Sequence, residues 1–216
     1  MRTIAKGAEP ASLTAHRQTL HADYDNYADK DGLRHSLVSE QRGICCYCMN
    51  RIHNSHNTMK IEHWRSQSHH TAEQLTYRNL LGACLGGQGQ PHNLQHCDTR
   101  KADSSLQWNP ADPAHHIETR VRYEADGSIR SDNDVFSAEL ENVLNLNVAI
   151  LRNNRKGVLD AVLAWWRREK ARIGGAVPRA TFETERARRT GGAGDLQPYC
   201  QVAVWWLDQR LARMAA

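Results

Sequence analysis

The segment from residue 43 to 105 most constrains what this chain can fold into. It is rich in Cys, His, Asn and Gly and has no long periodic apolar run. Such a segment cannot build a large apolar core by itself, so something else must hold it together. The cysteines offer the means. "ICCYCM" contains Cys45-x-x-Cys48, a spacing that lets two thiolates reach one tetrahedral zinc across a tight turn. A second pair is needed downstream, and Cys84 in "LLGACLGG" and Cys97 in "QHCDTRK" supply it, with twelve residues between them. The intervening "LGGQGQPHNLQ" must then fold back. His96 is an alternative to Cys97 as the fourth ligand, and Cys46 competes with Cys45; Cys200, far downstream, reads as a packing residue. Zinc held by four thiolates is coordinatively closed, which makes it a structural staple.

Length and composition set the outer bounds. A chain of 216 residues can bury a real core, and 40% hydrophobic with 24% charged residues is ordinary for a soluble protein. No apolar run approaches the roughly 20 residues of a membrane span. The opening "MRTIAKGAEPASL" has no apolar centre of the kind a secretory signal carries. The expected compartment is the cytoplasm, where thiols stay reduced and six cysteines read as ligands or core residues before disulfides. The net charge of +4 is uneven: residues 152 to 189 carry eleven Lys/Arg against four Asp/Glu, so +7, and the rest of the chain sums to −3. A stretch so basic fits a polyanion, although a solvated helix surface has the same composition.

Around the cysteine segment the patterns are mainly helical. Residues 11 to 42 read as two helices. Leu13, His16, Leu20 and Tyr24 lie near one face, "DKDG" (29 to 32) breaks the run, and Leu33, Leu37 and Gln41 resume it. Ile117, Thr119, Val121 and Tyr123 alternate toward Asp126-Gly127, which predicts a hairpin completed by Ile129. From Ser137 the chain reads as helix, and Asn147 is the expected cap of a long helix carrying Leu151, Val158, Leu159, Val162 and Trp166. "GGAVP" ends that helix, a short basic one follows, and a last helix from Pro198 presents Val202, Trp205 and Trp206. At helical spacing, the pairs Trp165-Trp166 and Trp205-Trp206 read as core residues.

Inside the cysteine frame lie Glu62-His63 at the end of a short strand and Asn79 opening "NLLGAC", and directly after its last cysteine come Asp98 and Lys101 on a helix. This set suits phosphodiester hydrolysis. The carboxylates of Glu62 and Asp98 are hard donors for Mg²⁺ or Mn²⁺, which polarises phosphate and steadies the leaving oxygen. A neutral His63 can take the proton of an attacking water. The Asn79 amide can tie the loop so that the imidazole points correctly.

"CCYC…IEHW…YRNLLGAC…HCDTRK" resembles an HNH endonuclease with the zinc-stapled ββα-metal core over residues 43 to 105. A narrower resemblance runs through most of the chain, in "MRTIAKGAEPASL", "LRHSLVSEQRGICCYC", "HCDTRKAD…WNP" and "VLNLNVAILRNNR". These segments look like the PtuB-like HNH component of Septu-type anti-phage systems, also found with some retrons. The resemblance implies a metal-dependent nuclease working with an ATPase partner of the PtuA kind. It makes Cys45, Cys48, Cys84 and Cys97 the zinc ligands, His63 the general base, Glu62 the acid beside it and Asn79 the middle Asn, and it puts Asp98 in the third-position slot. There are two departures. Ser66 stands where a proline is usual, which is expected to loosen the loop, and Asp98 replaces the commoner His or Asn.

The expected fold is therefore α+β, mostly α, with the zinc-stapled core at 43–110 between an N-terminal helical region (1–42) and a hairpin plus helical region (111–216), packed as one unit. Lys101, Arg152, Arg155, Lys156, Arg167 and Arg168 are the expected nucleic-acid contacts. DNA is the first expected substrate. The alternatives are an RNA- or tRNA-cleaving nuclease and a non-catalytic zinc module that binds nucleic acid or a partner.

Overall fold

The computed structural model describes residues 1–214. The fold is α+β, about 47% helical, with two small antiparallel sheets. Helices α1 (Ala11–Arg17) and α2 (Lys30–Glu40) come first. The strands β1 (Met59–His63) and β2 (Leu80–Cys84) pair antiparallel and lead into α3 (Cys97–Lys101). A helical turn α4 (Ile117–Arg120) precedes the hairpin of β3 (Val121–Tyr123) and β4 (Ile129–Ser131). Then come α5 (Asp134–Ala138), continued by a π-helical turn over Glu139–Val143, the long α6 (Ala149–Ile173), α7 (Arg179–Thr190) and α8 (Cys200–Arg213). No helix among the described residues is long and apolar enough to cross a membrane.

Several local expectations need correction. The first helix stops at Arg17, and Leu20 is 85% exposed. "DKDG" starts a helix where a break was expected: the Asp29 carboxylate accepts the Gly32 N–H at 3.0 Å and caps α2, whose Leu33 and Leu37 are fully buried. The strand expected from Ile117 begins only at Val121. Ile117 and Val121 are four apart, a spacing that serves a helical turn as well as an alternating strand, and the turn forms. Asn147 does not cap α6, which follows Val148 without a side-chain cap. Its amide faces Ile129 instead, accepting from the N–H (2.8 Å) and donating to the carbonyl (3.1 Å), as a neighbouring strand would. The last helix begins at Cys200, after a turn in which the Cys200 N–H reaches the Gln197 carbonyl.

The buried apolar residues form one cluster running from Met1 to Leu211. The cysteine-rich segment contributes Ile44, Tyr47, Met49, Ile52 and Met59 to it, so it borrows the core of its neighbours without building one of its own. The C-terminal region is laced directly onto this segment. The Arg51 guanidinium donates to the Asp195 carboxylate (3.0 Å) and the Leu196 carbonyl, and the Tyr199 N–H donates to the Met49 carbonyl at 3.1 Å. Just before the segment, the Arg42 guanidinium donates to the carbonyls of Thr190, Gly191 and Gly194. Trp165 packs edge-on against Phe182, and Trp166 lies 6.0 Å from Trp206 between ring centres, so the tryptophan pairs are helix-contact residues.

Candidate metal centre and polar site

Cys45 and Cys48 sit on the knuckle between α2 and β1, Cys84 ends β2, and Cys97 opens α3. Their sulfurs all lie within 4.8 Å of one another, and all four are buried. Cys45 Sγ is 3.9 Å from Cys97 Sγ, and Cys48 Sγ is 3.6 Å from Cys84 Sγ. A tetrahedron of sulfurs at the usual Zn–S distance has an edge of about 3.8 Å, so this donor set fits zinc. Burial pushes the Cys48 and Cys97 thiols well up. At Cys45 burial acts the same way, but hydrogen bonds from the neighbouring cysteines outweigh it and leave the thiol well below its ordinary range. A buried dication is what allows all four to ionise together. Neither alternative ligand belongs to the set. The grouped sulfurs are those of Cys45, Cys48, Cys84 and Cys97, without that of Cys46, and His96 Nδ1 lies 3.2 Å from Cys97 Sγ, beside the sulfur.

The downstream loop does fold back. The His96 N–H donates to the Gly86 carbonyl at 2.9 Å. Gly86 has φ +56°, and a Cβ there would stand 2.1 Å from the His96 carbonyl oxygen, so only glycine fits this approach.

The strand register of β1 and β2 places Glu62 opposite Leu81 and His63 opposite Leu80, next to Asn79. His63 Nε2 is 2.9 Å from the Gln74 carbonyl. A carbonyl only accepts, so the proton sits on Nε2 and Nδ1 keeps a free lone pair. Burial, first of all, lowers the His63 pKa from its ordinary value. Tyr24 meets the ring edge-on at 4.4 Å. Asn79 laces the loop after His63: its Oδ1 accepts the Arg65 N–H (2.8 Å), and its Nδ2 donates to the carbonyls of Arg65 (3.0 Å) and Glu73 (3.2 Å). Ser66 does not loosen this loop. It is buried, its hydroxyl accepts the His69 N–H and its carbonyl the His70 N–H, so a capped turn replaces the stiffness of a proline.

Glu62 is buried, and its Oε1 accepts from the Tyr47 hydroxyl (2.7 Å) and from Lys101 Nζ (2.9 Å). The same ammonium donates to the His63 carbonyl at 2.9 Å. Burial pushes the Glu62 carboxyl well up, and a hydrogen bond with Asp98 and that group's charge add to it, while Lys101 opposes. Asp98 is half-buried on α3, with Lys60 Nζ at 3.3 Å. Two adjacent carboxylates are a hard donor pair that suits a divalent cation.

The expected nucleic-acid contacts divide. Lys101 and Arg155 are each 1% exposed and cannot reach a phosphate backbone. Lys101 is consumed by Glu62, and Arg155 by the carbonyls of Gly127 (2.6 Å) and Leu146 (2.7 Å), where it pins the hairpin turn to α6. A charged residue read as surface became an interior tie because its helix face turned inward. Arg152 pairs with Asp126, and Lys156 with Asp160. Arg167 and Arg168 are exposed and have no carboxylate partner among the described residues. The missed residue of the site is Tyr47. "CCYC" placed it next to the ligands, but only the fold shows its hydroxyl on Glu62.

Neither a family model nor a curated protein matches this chain.

Proposed function

We propose that the chain is a metal-dependent nuclease of the HNH type, in which the hairpin β1–β2 and helix α3 form a ββα-metal unit stapled by zinc on Cys45, Cys48, Cys84 and Cys97. One observation carries this reading: the Glu62 carboxyl and Asp98 act on each other, the charges of Asp98 and Lys101 also reach His63, and the His63 tautomer is fixed on a loop laced by Asn79 so that Nδ1 is the free acceptor. His63 takes the proton of the attacking water at Nδ1. The Gln74 carbonyl holds the imidazole through Nε2, and Asn79 holds the loop that presents Gln74. Glu62 and Asp98 would hold the catalytic Mg²⁺ or Mn²⁺, with Oε1 of Glu62 fixed by Tyr47 and Lys101. When bound, such a cation supplies polarisation of the phosphate and neutralises charge on the leaving oxygen. Arg167 and Arg168 supply backbone contacts at the exposed face of α6.

In this reading DNA is the first substrate, structured RNA or tRNA the second, and the nuclease is the effector of an anti-phage complex with an ATPase partner. Both substrates present the same phosphates, so a substrate panel separates them. Labelled duplex DNA and tRNA are incubated with the chain and Mg²⁺ or Mn²⁺, with and without the ATPase. Cleavage of DNA that Asp98→Ala abolishes supports the first assignment, and cleavage confined to tRNA moves the chain to the second. Cleavage of neither, by a folded zinc-loaded protein with its partner present, leaves the non-catalytic zinc module as the better reading.

A further inference from the structure

The basic stretch of the sequence is largely neutralised by the fold. Arg152, Lys156, Arg172, Arg179, Arg186, Arg188 and Arg189 all pair with carboxylates, and Arg155 is buried. The cations left over gather with others from α8 around the C-terminal half of α6. There, a cleft of about 250 Å³ has Val177, Phe182, Trp166 and Met214 as its apolar lining and Lys170, Arg210 and Arg213 as its charges. A neighbouring hollow of about 410 Å³ shares Trp166 and Lys170 and adds Arg167. Among the described residues, no carboxylate lines either one. Met214 is 45% exposed, and Ile173, at the end of the same helix, is 37% exposed.

We propose that this cleft docks an acidic segment of a partner protein, anchored by an apolar side chain that enters between Val177, Phe182 and Met214. An apolar floor ringed by cations complements carboxylates flanking a Leu- or Phe-like anchor, and the anchor's burial adds to the charge attraction. Single-stranded nucleic acid fits less well. Base stacking needs a free aromatic face, and Trp166 already has the Arg210 guanidinium 4.9 Å over its ring and Trp206 beside it. The docking site uses Lys170, Arg210 and Arg213 of the first cleft, leaves Arg167 and Arg168 to the phosphate contacts proposed above, and is separate from the polar site on β1 and α3, so it does not rest on the nuclease reading.

The test uses the full chain and three fluorescent probes. One is a short peptide with Leu and Phe at helical spacing among Glu and Asp, the second an equally acidic peptide without apolar residues, and the third single-stranded DNA. The first peptide is expected to bind about tenfold or more tightly than the second, and Lys170→Glu and Arg213→Glu are each expected to weaken it by about tenfold. Both side chains are exposed, so thermal unfolding of these variants should match wild type. Absence of peptide binding, equal binding of the two peptides, or indifference to both reversals overturns the proposal. So does DNA that binds more tightly and displaces the peptide, which would make the face a nucleic-acid surface.

Discussion

His63 concentrates the chemistry of the proposed site in one imidazole. Its pKa is lowered from the ordinary 6.5, chiefly by burial, so the neutral form persists to lower pH than in a free histidine. A base of this kind loses activity only as pH falls through the depressed value. Cleavage rates should therefore hold steady through neutrality, with an acid limb below 6.5; a limb above that value contradicts the assignment of His63 as the base. Lys101 makes a different prediction. Removing the ammonium in Lys101→Met takes away the one charge that opposes burial at Glu62, so the carboxyl either takes up a proton or stays unpaired, a loss of at most about 3 to 5 kcal/mol for a broken buried pair. Denaturant unfolding should show that loss, and adding Glu62→Gln to the same chain should restore part of it. An additive double mutant would mean that the two groups do not interact.

At the scale of elements, the cysteine frame was legible because ligand chemistry needs a fixed residue type at a few fixed places. The spacing of Cys45 and Cys48 marks a knuckle, and Cys84 and Cys97 supplied the downstream pair, with Cys46 and His96 as the alternatives that the sulfur cluster leaves out. Asn79 was legible as a residue that ties the loop after His63, because its amide bonds the Arg65 backbone at both ends. Helix starts were harder. Asp29 and Asn147 carry the same kind of side-chain oxygen, yet one caps a helix and the other completes a sheet edge, and only the position of β4 decides between them. The return loop yields a prediction. Gly86→Ala forces a side chain into a left-handed backbone against the His96 carbonyl, so it should destabilise the fold by about 1 to 3 kcal/mol and weaken metal retention. Cys48→Ser should lose the metal outright, where wild type is expected to hold about one zinc per chain by elemental analysis. A zinc-free wild type of full stability contradicts the staple.

Over the whole molecule, charge was the least legible property. Composition gives +7 to residues 152 to 189 but cannot say which cations face acids and which face solvent. The fold spends most of them internally, and this limits what α6 can offer a phosphate backbone. If Arg167 and Arg168 each neutralise one phosphate, the double Ala variant should flatten the slope of log affinity against log salt by about 1.8, at about 0.9 per contact. An unchanged slope removes them from the interface. The nuclease reading itself is tested most directly by cleavage of labelled nucleic acid in Mn²⁺, with the proposed ATPase partner added, by wild type and by His63→Ala matched for zinc content and melting temperature. The expected result is cleavage by wild type and its loss, by about a hundredfold or more, in the variant. Equal behaviour of the two proteins on both DNA and tRNA contradicts it and leaves the zinc frame as a scaffold.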